Sequence, residues 1–174
     1  MESDNHFEPS DDPKDIGGTI ETLRSGRSEI LRDWVDRVRD NRAIKAGEAL
    51  SDPLLLDHIP QLFDAILDRL AVNRSREDAE QFAAVHGFTR RITGYDIVET
   101  AIELLMFRRS IWAHLTAVEA GIDGAYAAME RIDGMVDRAV ISSLRAYLDP
   151  GARMLERRSL ADGDRADDDR GNDE

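Results

Sequence analysis

The chain has 174 residues, no cysteine, and 36 acidic against 23 basic side chains, for a net charge of −13. This length suits one core; two domains would each be small and poorly buried. The missing cysteines exclude disulfide frameworks, thiolate nucleophiles and thiolate metal sites. The charge is concentrated at the ends: residues 1–15 carry six acids and one lysine, residues 151–174 eight acids and five arginines, leaving −5 for residues 16–150. Such a balance does not attract nucleic acid phosphates or anionic lipid, so neither nucleic acid nor membrane is expected as a partner. Residues 1–12 lack the basic and apolar regions of a signal peptide, and no apolar run approaches a membrane span, so the expectation is a cytoplasmic protein.

From Gly18 to Arg42, Ile20, Leu23, Ile30, Leu31, Trp34, Val35 and Val38 keep three-and-four spacing, which predicts one amphipathic first helix with a charged face of Arg32, Asp33, Asp36, Arg37 and Arg39. Ser51-Asp52-Pro53 reads as a capped helix start. Pro60 predicts a break and then opens a helix with the stripe Leu62, Phe63, Ile66, Leu67 and Leu70. Ser75 caps the next helix, about Arg76 to Ile92, which buries Ala79, Phe82, Ala83 and His86 and is weakened by Gly87. Gly94 permits a turn. Asp96 and Glu99 then form a capping box with Tyr95 as a staple, starting a helix that ends near Ala120-Gly121. A last helix runs from about Gly124 to Leu148 and closes at Asp149-Pro150-Gly151. Nothing alternates with period two, so the expectation is an all-α, single-domain bundle of five or six helices over residues 16–150. Residues 1–15 and 151–174 read as disordered acidic segments.

Catalytic motifs are scarce. Histidines 6, 58, 86 and 114 include no i,i+3 or i,i+4 pair, no Glu-x-x-His occurs, and there is neither a phosphate loop nor a nucleophile elbow, so no metal site and no cofactor are assigned and no enzyme is expected. Glu99 and Glu103 share a stripe with Phe107, Ser110 and His114 that reads as a polar seam; an enzyme would have to use Glu99, Glu103 and His114. Arg108 falls between Leu105 and Trp112 on an apolar face, where its head must snorkel, stack, or meet a carboxylate such as Glu103. His86 fits three roles: a hydrogen-bonded core residue, part of a polar or pH-sensing pocket, or a haem ligand.

His86-Gly87, Arg90, Gly94-Tyr95-Asp96, Glu99, Glu103 and Arg108, followed by Arg131-Ile132-Asp133 and Ala139, resemble the RsbRD amino-terminal domain family. The stretch from Leu50-Ser51-Asp52-Pro53 to Asp57-His58-Ile59-Pro60 matches it as well, and the resemblance covers Ile30 to Tyr147. It implies an input domain like those at the front of sensor histidine kinases and stressosome proteins, with a globin-like arrangement that binds no haem. The family-matching polar residues are His86, Arg90, Tyr95, Glu103 and Arg108. After residue 150 there is no room for a STAS domain or a kinase core, so the expectation is a non-catalytic regulator acting in trans on a histidine kinase, STAS-domain or anti-sigma partner, or as a homodimer. Ile30, Trp34 and Val38 are expected as its uncovered contact stripe. The alternative is a globin-like sensor of haem or another small ligand using His86 or His58.

Overall fold

Helical periodicity is realised throughout the computed structural model, which describes residues 13–71, 77–118 and 123–149. Among the described residues there are seven α-helices: α1 Pro13–Ser25, α2 Arg27–Asp40, α3 Asp52–Leu56, α4 Ile59–Ala71, α5 Glu77–Ile92, α6 Ile97–Val118 and α7 Asp123–Leu148. One 3-10 turn, Ala46–Ala49, precedes α3, and no strand occurs among these residues. The expected cap at Ser75, the stop at Gly121 and most of the acidic ends lie outside the described residues, but residues 13–15, expected as part of the disordered amino-terminal segment, open helix α1.

The single first helix is in fact two, divided at Gly26. Backbone bonds still cross the division, from Gly26 N to Thr22 O and from Ile30 N to Gly26 O, both 2.9 Å. A Cβ on Gly26 would stand 2.0 Å from His114 Nε2 of α6, so glycine lets that ring seat there. Ser51 sits at the N-cap of α3 in extended backbone but makes no side-chain cap bond, contrary to expectation. Pro60 falls in the first turn of α4, and the break expected ahead of it is made by Asp57, at φ 42°. Gly94 takes φ 88°, the left-handed conformation that favours glycine.

Three helices frame the interior. Gly87 of α5 lies against Ser143 of α7, and Arg91 Nη1 donates to Tyr147 O at 2.7 Å, so α5 and α7 run parallel. Gly87 does more than weaken its helix: a Cβ would meet Ser143 O at 2.0 Å, so its absence sets the close approach of the two backbones. On α6, Trp112 Nε1 donates to Asp133 (3.1 Å) and Arg108 pairs with Asp137 (3.0 Å), which places α6 antiparallel to α7. Phe63 and Phe107 meet edge to face at 5.9 Å between centroids.

Two expectations about faces are corrected. Ile30, Trp34 and Val38 are not an uncovered stripe: all are at most 1 % exposed, and Trp34 Nε1 donates to Glu103 O of α6 at 2.9 Å. A stripe that wide has to be covered, and α6 covers it. The expected polar seam of α6 is its inner face, with Thr100, Glu103, Leu104, Phe107, Ser110 and Ile111 buried, while Val118 is exposed. Because α6 packs against both α2 and α7, no single stripe decides its orientation.

Candidate functional site

Four of the five family-matching polar residues converge where α5 and α6 meet the turn between α3 and α4. His86 and Arg90, four apart, project from one face of α5, and Glu103 projects from α6. Each of the three is 0 % exposed. Arg90 Nε donates to Glu103 Oε2 at 2.6 Å. Its other nitrogens reach the end of α3: Nη1 donates to Leu54 O at 3.3 Å and Nη2 to Leu55 O. The guanidinium also stands 4.9 Å from the centre of the Tyr95 ring, a cation–π distance. One side chain thus ties α3, α5, α6 and the α5–α6 turn.

His86 lies between two carboxylates. Its Nε2 is 3.2 Å from Glu103 Oε2 and its Nδ1 is 3.7 Å from Asp57 Oδ2, neither aligned as a hydrogen bond. Asp57 Oδ1 is 2.6 Å from His58 Nδ1, and Asp57 Oδ2 is 4.0 Å from Arg90 Nη1. Burial would push the Asp57 carboxyl up, but His86, His58 and Arg90 outweigh it and hold the group below its ordinary range. Burial, followed by the charge of Glu103, pushes the Tyr95 hydroxyl well above its ordinary range. Two carboxylates face one guanidinium, with two imidazoles beside them.

The cluster retains unspent polar capacity. Asp57 Oδ2, both nitrogens of His86, Tyr95 OH and Glu103 Oε1 are buried without a hydrogen-bond partner, and such atoms are uncommon in protein interiors. Both nitrogens of His86 face carboxylates, so neither is presented as an axial ligand for haem iron; Nδ1 of His58 faces Asp57. Among the described residues no group of three or more His, Asp or Glu is placed to hold a metal ion.

The remaining candidates are elsewhere. Arg108 does not meet Glu103; it pairs with Asp137 at a half-exposed site on α7, as a snorkelling head would. Glu99 accepts from Lys45 N (2.6 Å), Ala46 N (3.4 Å) and Asp96 N (3.0 Å), while Asp96 Oδ1 accepts from Val98 N (2.7 Å) and Glu99 N (2.8 Å). Glu99 therefore completes the capping box and also pins the 3-10 turn. His114 packs on Gly26, with Nδ1 3.7 Å from Glu29, so Glu99, Glu103 and His114 do not assemble as an acid–base group. Asp57 was not among the site residues expected from sequence, because it sits in a turn that helical periodicity does not read; its signal was the Asp-His pair before Ile59-Pro60. Tyr147 donates its hydroxyl to Tyr95 O at 2.8 Å and so braces the cluster from α7.

No helix among the described residues is long and apolar enough to cross a membrane. No curated protein and no solved structure gives a match to the chain. One family profile does match, described as the RsbT co-antagonist protein rsbRD N-terminal domain, over residues 28–161, which takes in the whole polar cluster. The chain belongs to this family of stress-response signalling input domains.

Proposed function

We propose that the protein is a non-catalytic input domain that works in the cytoplasm by contact in trans with a separate signalling protein of the histidine kinase, STAS-domain or anti-sigma type. Its folded unit begins with α1 and extends to about residue 150, with acidic segments on either side. Family membership supports the class. The observation that carries the mode of action is the closure of His86, Arg90, Glu103 and Asp57 on one another in the interior. These residues join helices to each other, an arrangement suited to passing a displacement of one helix to its neighbours.

A second reading, a sensor of a small polar ligand, is favoured by the unpartnered atoms of His86, Tyr95 and Glu103. Native mass spectrometry of the protein purified from its own cytoplasm separates the two. A stoichiometric complex with a kinase, STAS-domain or anti-sigma protein is the expected result. A bare chain retaining a small molecule that Glu103→Gln releases would overturn the first reading in favour of the second.

A further inference from the structure

We infer that His86 makes this domain responsive to protons: a protonated ring fastens the Asp57 turn to α5 and α6, and loss of one proton frees Asp57 from α5. The use of this proton as a signal rests on the input-domain reading; the protonation itself rests on the geometry of the cluster. The ring is 0 % exposed, with Nε2 3.2 Å from Glu103 Oε2 and Nδ1 3.7 Å from Asp57 Oδ2. A neutral imidazole carries one N–H, so in either tautomer its other nitrogen turns a lone pair towards a carboxylate oxygen. Only the imidazolium has a proton for each. The charges agree. Asp57 and Glu103 bring two negative charges and Arg90 one positive, so a protonated His86 balances a group whose unmatched charge would be costly in the interior.

The groups around the ring leave this role to it. On its own helix Arg90 is the cation, already bonded to Glu103 Oε2 at 2.6 Å. From α6 the ring meets Glu103, while Glu99, one turn earlier, is engaged by the backbone of Lys45, Ala46 and Asp96. Tyr95 of the α5–α6 turn stays neutral, because burial pushes its hydroxyl well above the ordinary range. The α7 face against α5 presents Ser143 at Gly87 and Tyr147 at Arg91, both uncharged side chains. On α4, Asp64 and Asp68 are paired with Arg27 and Arg24 at exposed sites. From the turn between α3 and α4 the ring meets Asp57, whose other oxygen is 2.6 Å from Nδ1 of His58. The His58 side chain is 33 % exposed and that of Asp57 12 %, so the cluster reaches solvent on this side and protons have access.

What the proton controls is the turn. Nε2 is nearer its carboxylate than Nδ1, so the proton given up is the one on Nδ1, facing Asp57. Asp57 holds φ 42°, a conformation that persists only while its contacts hold it. Burial pushes its carboxyl up, and His86 leads the groups that nevertheless hold it below its ordinary range. The bonds from Leu55 N to Ser51 O (2.8 Å) and from Asp57 N to Pro53 O (3.1 Å) form α3 and close its end immediately before that residue. With Nδ1 bare, Asp57 faces a lone pair on its α5 side, and these two bonds are the first to lose support.

Two-bond proton–nitrogen spectra of the full chain, labelled with nitrogen-15, read the protonation of each ring nitrogen directly. Amide exchange, divided by the intrinsic rate at each pH, reads the protection of the Leu55 and Asp57 amides. Between about pH 5 and pH 9, His86 is expected to pass from two ring protons to one, on Nε2. Protection at Leu55 and Asp57 is expected to fall at least about threefold at the same midpoint, the loss of one hydrogen bond's worth of support. His58→Gln is expected to leave the step in place, since the more exposed ring does not carry it. A His86 ring that holds one charge state across the range, a proton lost from Nε2 instead, flat protection, or a step that vanishes in His58→Gln overturns the inference. All of these are read on the isolated chain, so they fail separately from the signalling complex expected by mass spectrometry.

Discussion

Replacing Arg90 with methionine keeps most of the side-chain volume and removes the charge that ties the cluster. Arg90 and Glu103 are both fully buried, so solvent screening does not soften the loss. The Glu103 carboxylate would lose its aligned cationic partner, and the carbonyls of Leu54 and Leu55 would lose their donor. Removing one partner of a buried pair costs about 3–5 kcal/mol. In a domain of this size each kcal/mol moves the melting temperature by about 4 °C, so a fall of about 12–20 °C is expected. Urea and thermal unfolding followed by far-UV circular dichroism measure it, with an unchanged urea slope showing that two-state unfolding persists. The double variant Arg90→Met, Glu103→Leu should recover at least about 1 kcal/mol over Arg90→Met, because no uncompensated carboxylate remains at Glu103. A loss below about 1 kcal/mol for Arg90→Met, or a double variant no more stable than the single one, would refute the assignment of Arg90 as the tie.

Asp57 gives a pH signature. Its carboxyl is held below the ordinary value of 3.8, so its contribution is complete above about pH 4 and is lost as the pH falls through the lower folded value. Urea titrations of Asp57→Asn should show a deficit at pH 7 that shrinks below about pH 4, and a constant deficit would contradict it. Tyr95 acts at the other end: with its hydroxyl raised above the ordinary 10.0, the unfolded chain ionises first and stability falls as the pH rises beyond about 10. Tyr95→Phe should flatten that alkaline slope. Gly87→Ala drives a Cβ into Ser143 O and should cost at least about 1–3 kcal/mol, whereas Gly17→Ala, with open space around it, should stabilise by about 0.5–1 kcal/mol; paired melting curves decide both signs. Trp34→Ala removes a fully buried indole and its bond to Glu103 O and should cost about 3–5 kcal/mol in urea unfolding, with no effect confined to self-association.

Local signals account for what the sequence revealed of the fold. The Asp96 and Glu99 capping box, the proline opening α4 and the spacing in α5 and α7 put helix boundaries within a residue or two of those observed. Gly26 stayed invisible because helical spacing continues across it, and the His114 ring that packs on it lies 88 residues away in α6. Glu103 was placed correctly on its helix but on the wrong face. A carboxylate read locally belongs in water, and only Arg90 from another helix makes its burial tolerable. Arg90 itself carried no periodic signal and entered through family resemblance alone. Arg108 shows the converse: the apolar neighbours that pointed inward also surround a side chain long enough to reach Asp137 at the rim.

What remains is why a signalling domain would keep such a costly interior. A core of similar volume made from apolar side chains would in general be at least as stable, so stability alone does not explain four ionisable groups at this junction. The backbone offers a clue: Asp57 is the one described non-glycine residue with positive φ, and conformations of that kind persist only where surrounding contacts hold them. Those contacts are His58 and His86 on its carboxylate and, through Arg90, the carbonyls of Leu54 and Leu55 in α3. Any change in Arg90, Glu103 or His86 therefore bears on a turn that relaxation would reshape. The turn in turn sets where α4 begins, and α4 carries Asp64 and Leu70, which hold the start of α2 and help to seat α1. A perturbation at the polar cluster thus has a contiguous physical route to the amino-terminal helices. Hydrogen exchange compares the two ends directly: Asp57→Asn should raise exchange in α1 as well as in α3, and a rise confined to α3 would break the connection.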